Sequence, residues 1–363
     1  MATADAAVGI AANPSAVADW PARLLRFVTE WPGTNSSLAM LTVSLLIAVA
    51  YLSTRGGRSW RRARPWRILK ILFSPRYIFH RTHVFDILMF IFNTRVVGLA
   101  IGWFLLSGTW ISQWTYTALN ATFGAQTPSV WPIWLIMAVG SLGVFLAYEF
   151  GYWLDHFLSH KVPLLWEFHR VHHQAEALSP ATNFRVHPVD TLVFSNILCV
   201  TMGPANGALC YAFGLPFEQT SMFGYFSILT FFAYLVVQLQ HTHVWIPLTG
   251  FWGKIFVSPA HHQIHHSANP IHFDKNMGSC LAIYDWMFGT LHMPAKKREK
   301  LTFGSKSEAK DPHTLLEGLI NPYIRGLGHI WRWVRPGRAG KAMPGAGARP
   351  AVPPLSPAEP HPV

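Results

Sequence analysis

The stretch YEFGYWLDHFLSHKVPLLWEFHRVHHQAEALSPATNFRVHPVD, residues 148–190, decides how this chain reads. His156 and His160 stand at i, i+4, and His169, His172 and His173 at i, i+3, i+4. Residues three or four apart are neighbours on a helix surface, so each set projects its imidazoles from one helical face. A second triplet, in SPAHHQIHHS (258–267), repeats the spacing at His262, His265 and His266. Two triplets and a pair fit core packing poorly, because every buried ring nitrogen needs a partner and neutral imidazole is a common metal ligand. With His241 the set exceeds what one four- or six-coordinate ion can use and is enough for two.

Composition sets the surroundings of this cluster. The chain has 363 residues, 51% hydrophobic and 13% charged, well under the roughly 25% charged of soluble domains, which points to a membrane protein. Cys199, Cys210 and Cys280 show no CxxC spacing, so metal chemistry falls to histidine. The net charge of +12 gathers in RGGRSWRRARPWRILK (55–70) and near the C-terminus. That placement fits membrane topology and attraction to a lipid surface, and argues against nucleic acid as a partner.

In chain order, 1–36 reads as an N-terminal tail without the basic start and apolar run of a secretory signal. Residues 37–147 read as a membrane region holding the basic loop, with span candidates at 37–52, 85–106 and 132–152. The positive-inside rule puts the basic block in the cytoplasm, and 107–131, which carries no charge, reads as a loop on the other side. The mostly apolar stretch 191–240 is interrupted at Gly203, Pro204, Asn206 and Gly207 and again near Pro216, so it reads as two spans or a deep re-entrant hairpin. It must return to its starting side if His241 and the second triplet are to meet the first cluster. Residues 148–295 then form the catalytic unit and 296–363 a cytosolic extension, disordered after about residue 336 by its Pro, Gly and Ala content.

The motifs DHFLSH, HRVHH, RVHP, LQHTH, SPAHHQIHH, DKNMG and YDWMFGT, taken in that order, resemble the fatty acid hydroxylase/sterol desaturase superfamily of integral-membrane oxidases. The resemblance implies an all-α, polytopic protein of about four or five transmembrane helices. It also implies a cytosolic helical cap carrying a dinuclear site of two Fe ions, with O2 as co-substrate and a lipid substrate from the bilayer. By the same match the metal ligands are His156, His160, His169, His172, His173, His241, His262, His265 and His266, with His187 and His243 as further ligands or supporting groups.

Other residues are assigned from their position. Glu149 lies on the helix face of His156 and His160 near a span end, where an acid is costly and points to a supporting or proton-relay role. Asn276, in DKNMG, is a candidate to orient ligands or substrate. Asp155, Glu167, Asp190, Asp274 and Asp285 are candidates to accept the second ring N–H of ligating histidines. His261 is read as a cap-surface residue, and His80 and His83 as interfacial ones. No Rossmann glycine fingerprint and no CxxCH set are present, so electrons must come from a separate electron-transfer protein. The Ala/Pro/Gly-rich tail points to a bacterial inner membrane with the histidines facing the cytoplasm. A catalytically silent lipid-binding relative and a histidine-rich metal transporter are the competing classes; transport calls for ionisable residues within several spans.

Overall fold

The computed structural model describes residues 38–54, 65–73, 75–94, 105–215, 238–305 and 311–334. Among these the chain is all-helical, and its extended pairings are two isolated bridges, Phe256 with Leu281 and Ser267 with Phe303. The principal helices are α1 (Leu38–Thr54), α2 (Pro65–Leu72), α3 (Arg81–Phe92), α4 (Gly108–Phe123), α5 (Ile133–Lys161) and α6 (Pro163–His173). They continue with α7 (Pro188–Ala212), α8 (Gly250–Ile255), α9 (Pro259–His265), α10 (Ile283–Phe288) and α11 (Asn321–Val334). The N-terminal tail, most of the basic loop and the tail after residue 336 lie outside the described residues.

Proline placement sets several starts. Pro163, Pro188 and Pro259 each occupy the first turn of a helix, where a missing N–H costs nothing and the fixed φ suits the helix. Val162 is at once the C-cap of α5 and the N-cap of α6, so the two histidine-bearing helices follow each other with a single residue between them.

Among the described residues two helices, α5 with 29 residues and α7 with 25, are long and apolar enough to cross a membrane. Only 28% and 11% of their most apolar windows are buried within the protein, as suits helices whose outer faces meet lipid. Together with the composition, this describes a membrane protein.

Two sequence expectations change here. Residues 107–131, read as a loop, contain the sixteen-residue helix α4, started by Ser107, whose side chain accepts the Trp110 N–H. The expected interruption at 203–207 does not break α7, which runs straight through Pro204. The glycines serve packing instead: a Cβ on Gly207 would lie 2.3 Å from the Ser112 carbonyl of α4, and one on Gly203 would lie 2.8 Å from Ile111 Cγ2. Small residues let apolar helices approach closely where lipid supplies no hydrophobic drive. Asn206 donates to Ser112 Oγ across the same contact at 2.8 Å. The second half of 191–240 lies outside the described residues from 216 to 237, as do residues 95–104 of the 85–106 candidate. Within the C-terminal extension, before residue 336, the chain forms the helix α11.

Gly207→Val is expected to destabilise the detergent-solubilised protein by about 1–3 kcal/mol through overpacking, seen as a lower thermal midpoint. Val200→Ala, on the exposed side of the same helix, should leave the midpoint nearly unchanged; equal shifts would contradict the α4–α7 contact.

Candidate metal centre

α5 supplies His156 and His160, and α6 supplies His169, His172 and His173. α9 supplies His262 and His265, His266 is its C-cap, and His241 comes from the turn after Gln240. These nine fall into two groups, His156, His160, His169, His173 and His265 in one and His172, His241, His262 and His266 in the other. Within each group, one ring nitrogen per residue lies within 4.8 Å of all the others. The division follows helix geometry. The i and i+4 members of each triplet lie about 40° apart around the axis, and the i+3 member lies to the other side. His169 and His173 thus share one group and His262 and His266 the other, while His172 and His265 cross over.

The nitrogens converge. In the four-histidine group His241 Nε2 is 2.8 Å from His262 Nε2, 3.0 Å from His266 Nε2 and 3.1 Å from His172 Nε2. In the other, His173 Nε2 is 3.2 Å from both His160 Nε2 and His169 Nε2 and 3.1 Å from His265 Nε2. Donors about 2.1 Å from a shared ion and at right angles sit about 3 Å apart.

The outer ring nitrogens show which tautomer is present. His156 Nδ1 meets the Met277 carbonyl at 2.8 Å and His265 Nδ1 the Lys275 carbonyl at 2.8 Å. A carbonyl only accepts, so each Nδ1 carries the proton and each Nε2 turns a lone pair inward. His169 Nδ1 meets Asp190 Oδ2 at 3.1 Å, and His160 Nδ1 lies 3.7 Å from Asp274 Oδ1. Burial, reinforced by the neighbouring imidazoles, holds His172, His173, His262, His265 and His266 well below the usual histidine range. Burial pushes His241 down to about 3. Neutral, convergent imidazoles fit a pair of borderline cations such as iron, zinc or copper.

A clamped loop holds the outer partners. Asp285 accepts the Met277 and Gly278 N–H groups at 2.8 Å each. Glu149 Oε2 accepts those of Cys280 and Leu281 at 2.9 and 2.8 Å. Asn276, at φ +58°, donates to the carbonyls of His261 and His292 and accepts the His292 N–H. Glu149 and Asn276 therefore act on the backbone that offers carbonyls to His156 and His265.

The remaining candidates lie elsewhere. His187 caps α7, its Nδ1 accepting the Val189 N–H and its Nε2 facing the Leu319 carbonyl, and burial pushes it down to about 4. His243 Nε2 faces the Ile71 carbonyl at 2.7 Å. Neither belongs to the two groups. Glu167 turns away to Arg325, Arg170 and His329, and Asp155 is buried on α5 with Oδ1 unpartnered among the described residues. His261, read as a surface residue, is fully buried because its Nδ1 closes the capping box of α9 with Ser258. His83 is buried too, and His80 caps α3.

Sequence reasoning missed Arg185. It is wholly buried, donates from Nε to the Val171 carbonyl at 2.7 Å, and pairs with Asp86 of α3 at 3.2 Å. Val171 sits inside HRVHH, so the pair fastens the histidine-bearing helix to α3. The available signal was Asp86, an acid inside an apolar run.

Residues 141–290 match the family model "Fatty acid hydroxylase". This segment belongs to the fatty acid hydroxylase superfamily. The hydroxylase domain is similar to alkylglycerol monooxygenase of Danio rerio, 29% identical over 179 residues, which is 48% of this chain and 33% of that protein. It is also similar to ornithine lipid hydroxylase OlsE of Rhizobium tropici, 31% identical over 169 residues, 47% of this chain and 45% of that protein. The chain thus spans between a third and a half of these two relatives. No solved structure matches it.

Two predictions follow from the hydroxylase domain's geometry. Arg185→Met strands Asp86 as a buried charge, which costs about 3–5 kcal/mol; a thermal midpoint within error of the parent would contradict the anchoring. For pH, the buried histidines take up protons less readily than in the unfolded chain, whose histidines titrate near 6.5. Below that pH the unfolded state binds more protons, so stability of the metal-free protein is full above it and falls as pH drops. Thermal midpoints recorded from pH 8 down to pH 5 check this, and a flat series would contradict it.

Proposed function

We propose that this chain is a membrane-bound lipid hydroxylase that uses O2 and external electrons. One observation carries the reading: the convergence of nine imidazoles, eight of them on buried residues, into a group of five and a group of four. His156, His160, His169, His173 and His265 would hold one iron, and His172, His241, His262 and His266 the other. When bound, the iron pair supplies the O2 activation that amino-acid side chains lack. The relatives carry the names monooxygenase and hydroxylase, which favours hydroxylation over desaturation. In the balanced reaction one oxygen atom enters a C–H bond and the other leaves as water, with two electrons and two protons from outside. The electron source is a separate carrier protein.

The chain's own residues hold the ligands still and keep them dry. Met277 and Lys275 orient rings through their carbonyls, Asp190 does so through its carboxylate, and Glu149 and Asp285 fix the loop behind them. Burial keeps the imidazoles of His172, His173, His241, His262, His265 and His266 unprotonated at neutral pH. About 20 residues cross a bilayer core, so a span starting near Ile133 leaves His156 and His160 just past its inner edge, within reach of a lipid chain. The names alkylglycerol and ornithine lipid in the relatives support a polar lipid with a long alkyl or acyl chain as substrate. The full arrangement we propose is four or five spans, a cytosolic cap within the catalytic unit 148–295, and a bacterial inner membrane.

The test is a lipid mass comparison of host membranes expressing the chain and its His172→Ala/His173→Ala variant, which loses one ligand from each group. A polar lipid that gains one oxygen only with the intact, iron-loaded chain is the expected result. Coincident lipid profiles, with iron bound and a competent reductant present, would overturn the proposal.

A further inference from the structure

The helix α11 presents two opposed faces. On one, Pro322 and Gly326 are buried, and a Cβ on Gly326 would lie 3.0 Å from Leu164 of α6. Arg325 pairs with Glu167 of α6 at 2.8 Å, and His329 lies 3.2 Å from the same carboxylate. On the other, Ile324, Leu327, Trp331 and Val334 are all exposed and fall within an arc of about 80°. Leu327 is 64% exposed. A soluble chain would hide such a stripe.

Charge identifies what covers it. Arg332 lies in the last turn, and Arg335, Arg338 and Lys341 follow with no acid before Glu359. An apolar stripe with a tryptophan near its end, followed in sequence by a run of cations, has the composition of a helix lying in an anionic lipid surface. At the other end of the chain α2 has the same character: Trp66 is 77% exposed, the helix follows a basic run, and its Ile71 carbonyl meets His243.

We propose that α11 seats its apolar stripe in an anionic membrane surface and, through Gly326 and the Glu167 ion pairs, docks the histidine-bearing helix α6 against that surface. This interaction is independent of the chemistry proposed above and stands or falls separately from it.

The test uses the full chain in lipid nanodiscs of phosphatidylcholine alone or mixed equally with phosphatidylglycerol. A nitroxide is placed at Leu327→Cys, or at Lys297→Cys as an exposed reference, with the unmodified chain as the background for Cys199, Cys210 and Cys280. In the phosphatidylglycerol discs the label at 327 should be open to O2 and closed to a water-soluble nickel complex, while the label at 297 stays open to nickel in both discs. Adding Arg332→Gln to the 327 variant should lower the ratio of seated to aqueous label about fivefold, since a basic residue near an anionic surface contributes about 1 kcal/mol. Equal nickel access at 327 in both discs overturns the proposal. So does a label closed to both reagents and broadened by a second nitroxide, which would put another copy of the chain on the stripe. An unchanged ratio in the Arg332→Gln variant overturns the anionic selectivity.

Discussion

Nine imidazoles turned toward one another in a buried space are the constraint on which the rest of this structure depends. Each neutral ring has one proton, and His156 and His265 have already committed theirs outward to backbone carbonyls. Their inward lone pairs cannot satisfy one another, and protonation is opposed by burial. A cation at each focus resolves the conflict. The surroundings make sense as the means of holding lone pairs where they would otherwise repel.

That holding is done mostly by backbone. Glu149 and Asp285 each accept two consecutive N–H groups of one loop, and Asn276 fastens the same loop to the ends of two neighbouring segments. The loop returns carbonyls to the rings of His156 and His265. Support for the rings thus runs from carboxylate to amide to carbonyl to imidazole. On the far side of α6, Arg185 grips the Val171 carbonyl and Glu167 meets α11, so the triplet helix is fixed from two directions. These contacts are made by buried charged or polar side chains with defined partners, an arrangement that is stiff because leaving a buried polar group without its partner is costly.

The ligand-bearing elements were legible because their chemistry is local. The i, i+3, i+4 spacing of two triplets announces helices with imidazoles on one face, and α6 and α9 are those helices. The partition of the triplets between two centres was not legible, since it depends on how α5, α6 and α9 meet in space. The loop clamp was half legible: Asp285 and Asn276 stood in recognisable motifs, but that they act on amides and carbonyls is a matter of tertiary position. Gly203 and Gly207 misled, because glycine and proline signal a break in water and close helix contact within a membrane protein. Glu167 misled for a different reason: it stands two residues before His169, but it pairs with Arg170 and, more than a hundred residues away in α11, with Arg325 and His329. The α11 stripe was present as a helical period in the sequence, obscured by the Pro/Gly-rich composition that follows it.

In the membrane setting proposed above, the ends of two long apolar helices and the outer faces of α2 and α11 would bring the histidine groups beside a lipid surface, where a water-insoluble chain could reach them. Whether those groups hold metal as the geometry demands is tested most directly by X-ray absorption at the iron edge on the iron-loaded, purified protein, paired with metal analysis of the same sample. The expected result is two irons per chain, each in a shell of four to five imidazole nitrogens, with the ring scattering that imidazoles give. One iron per chain, or a shell dominated by carboxylate oxygen, would contradict the assignment of the nine histidines to two centres.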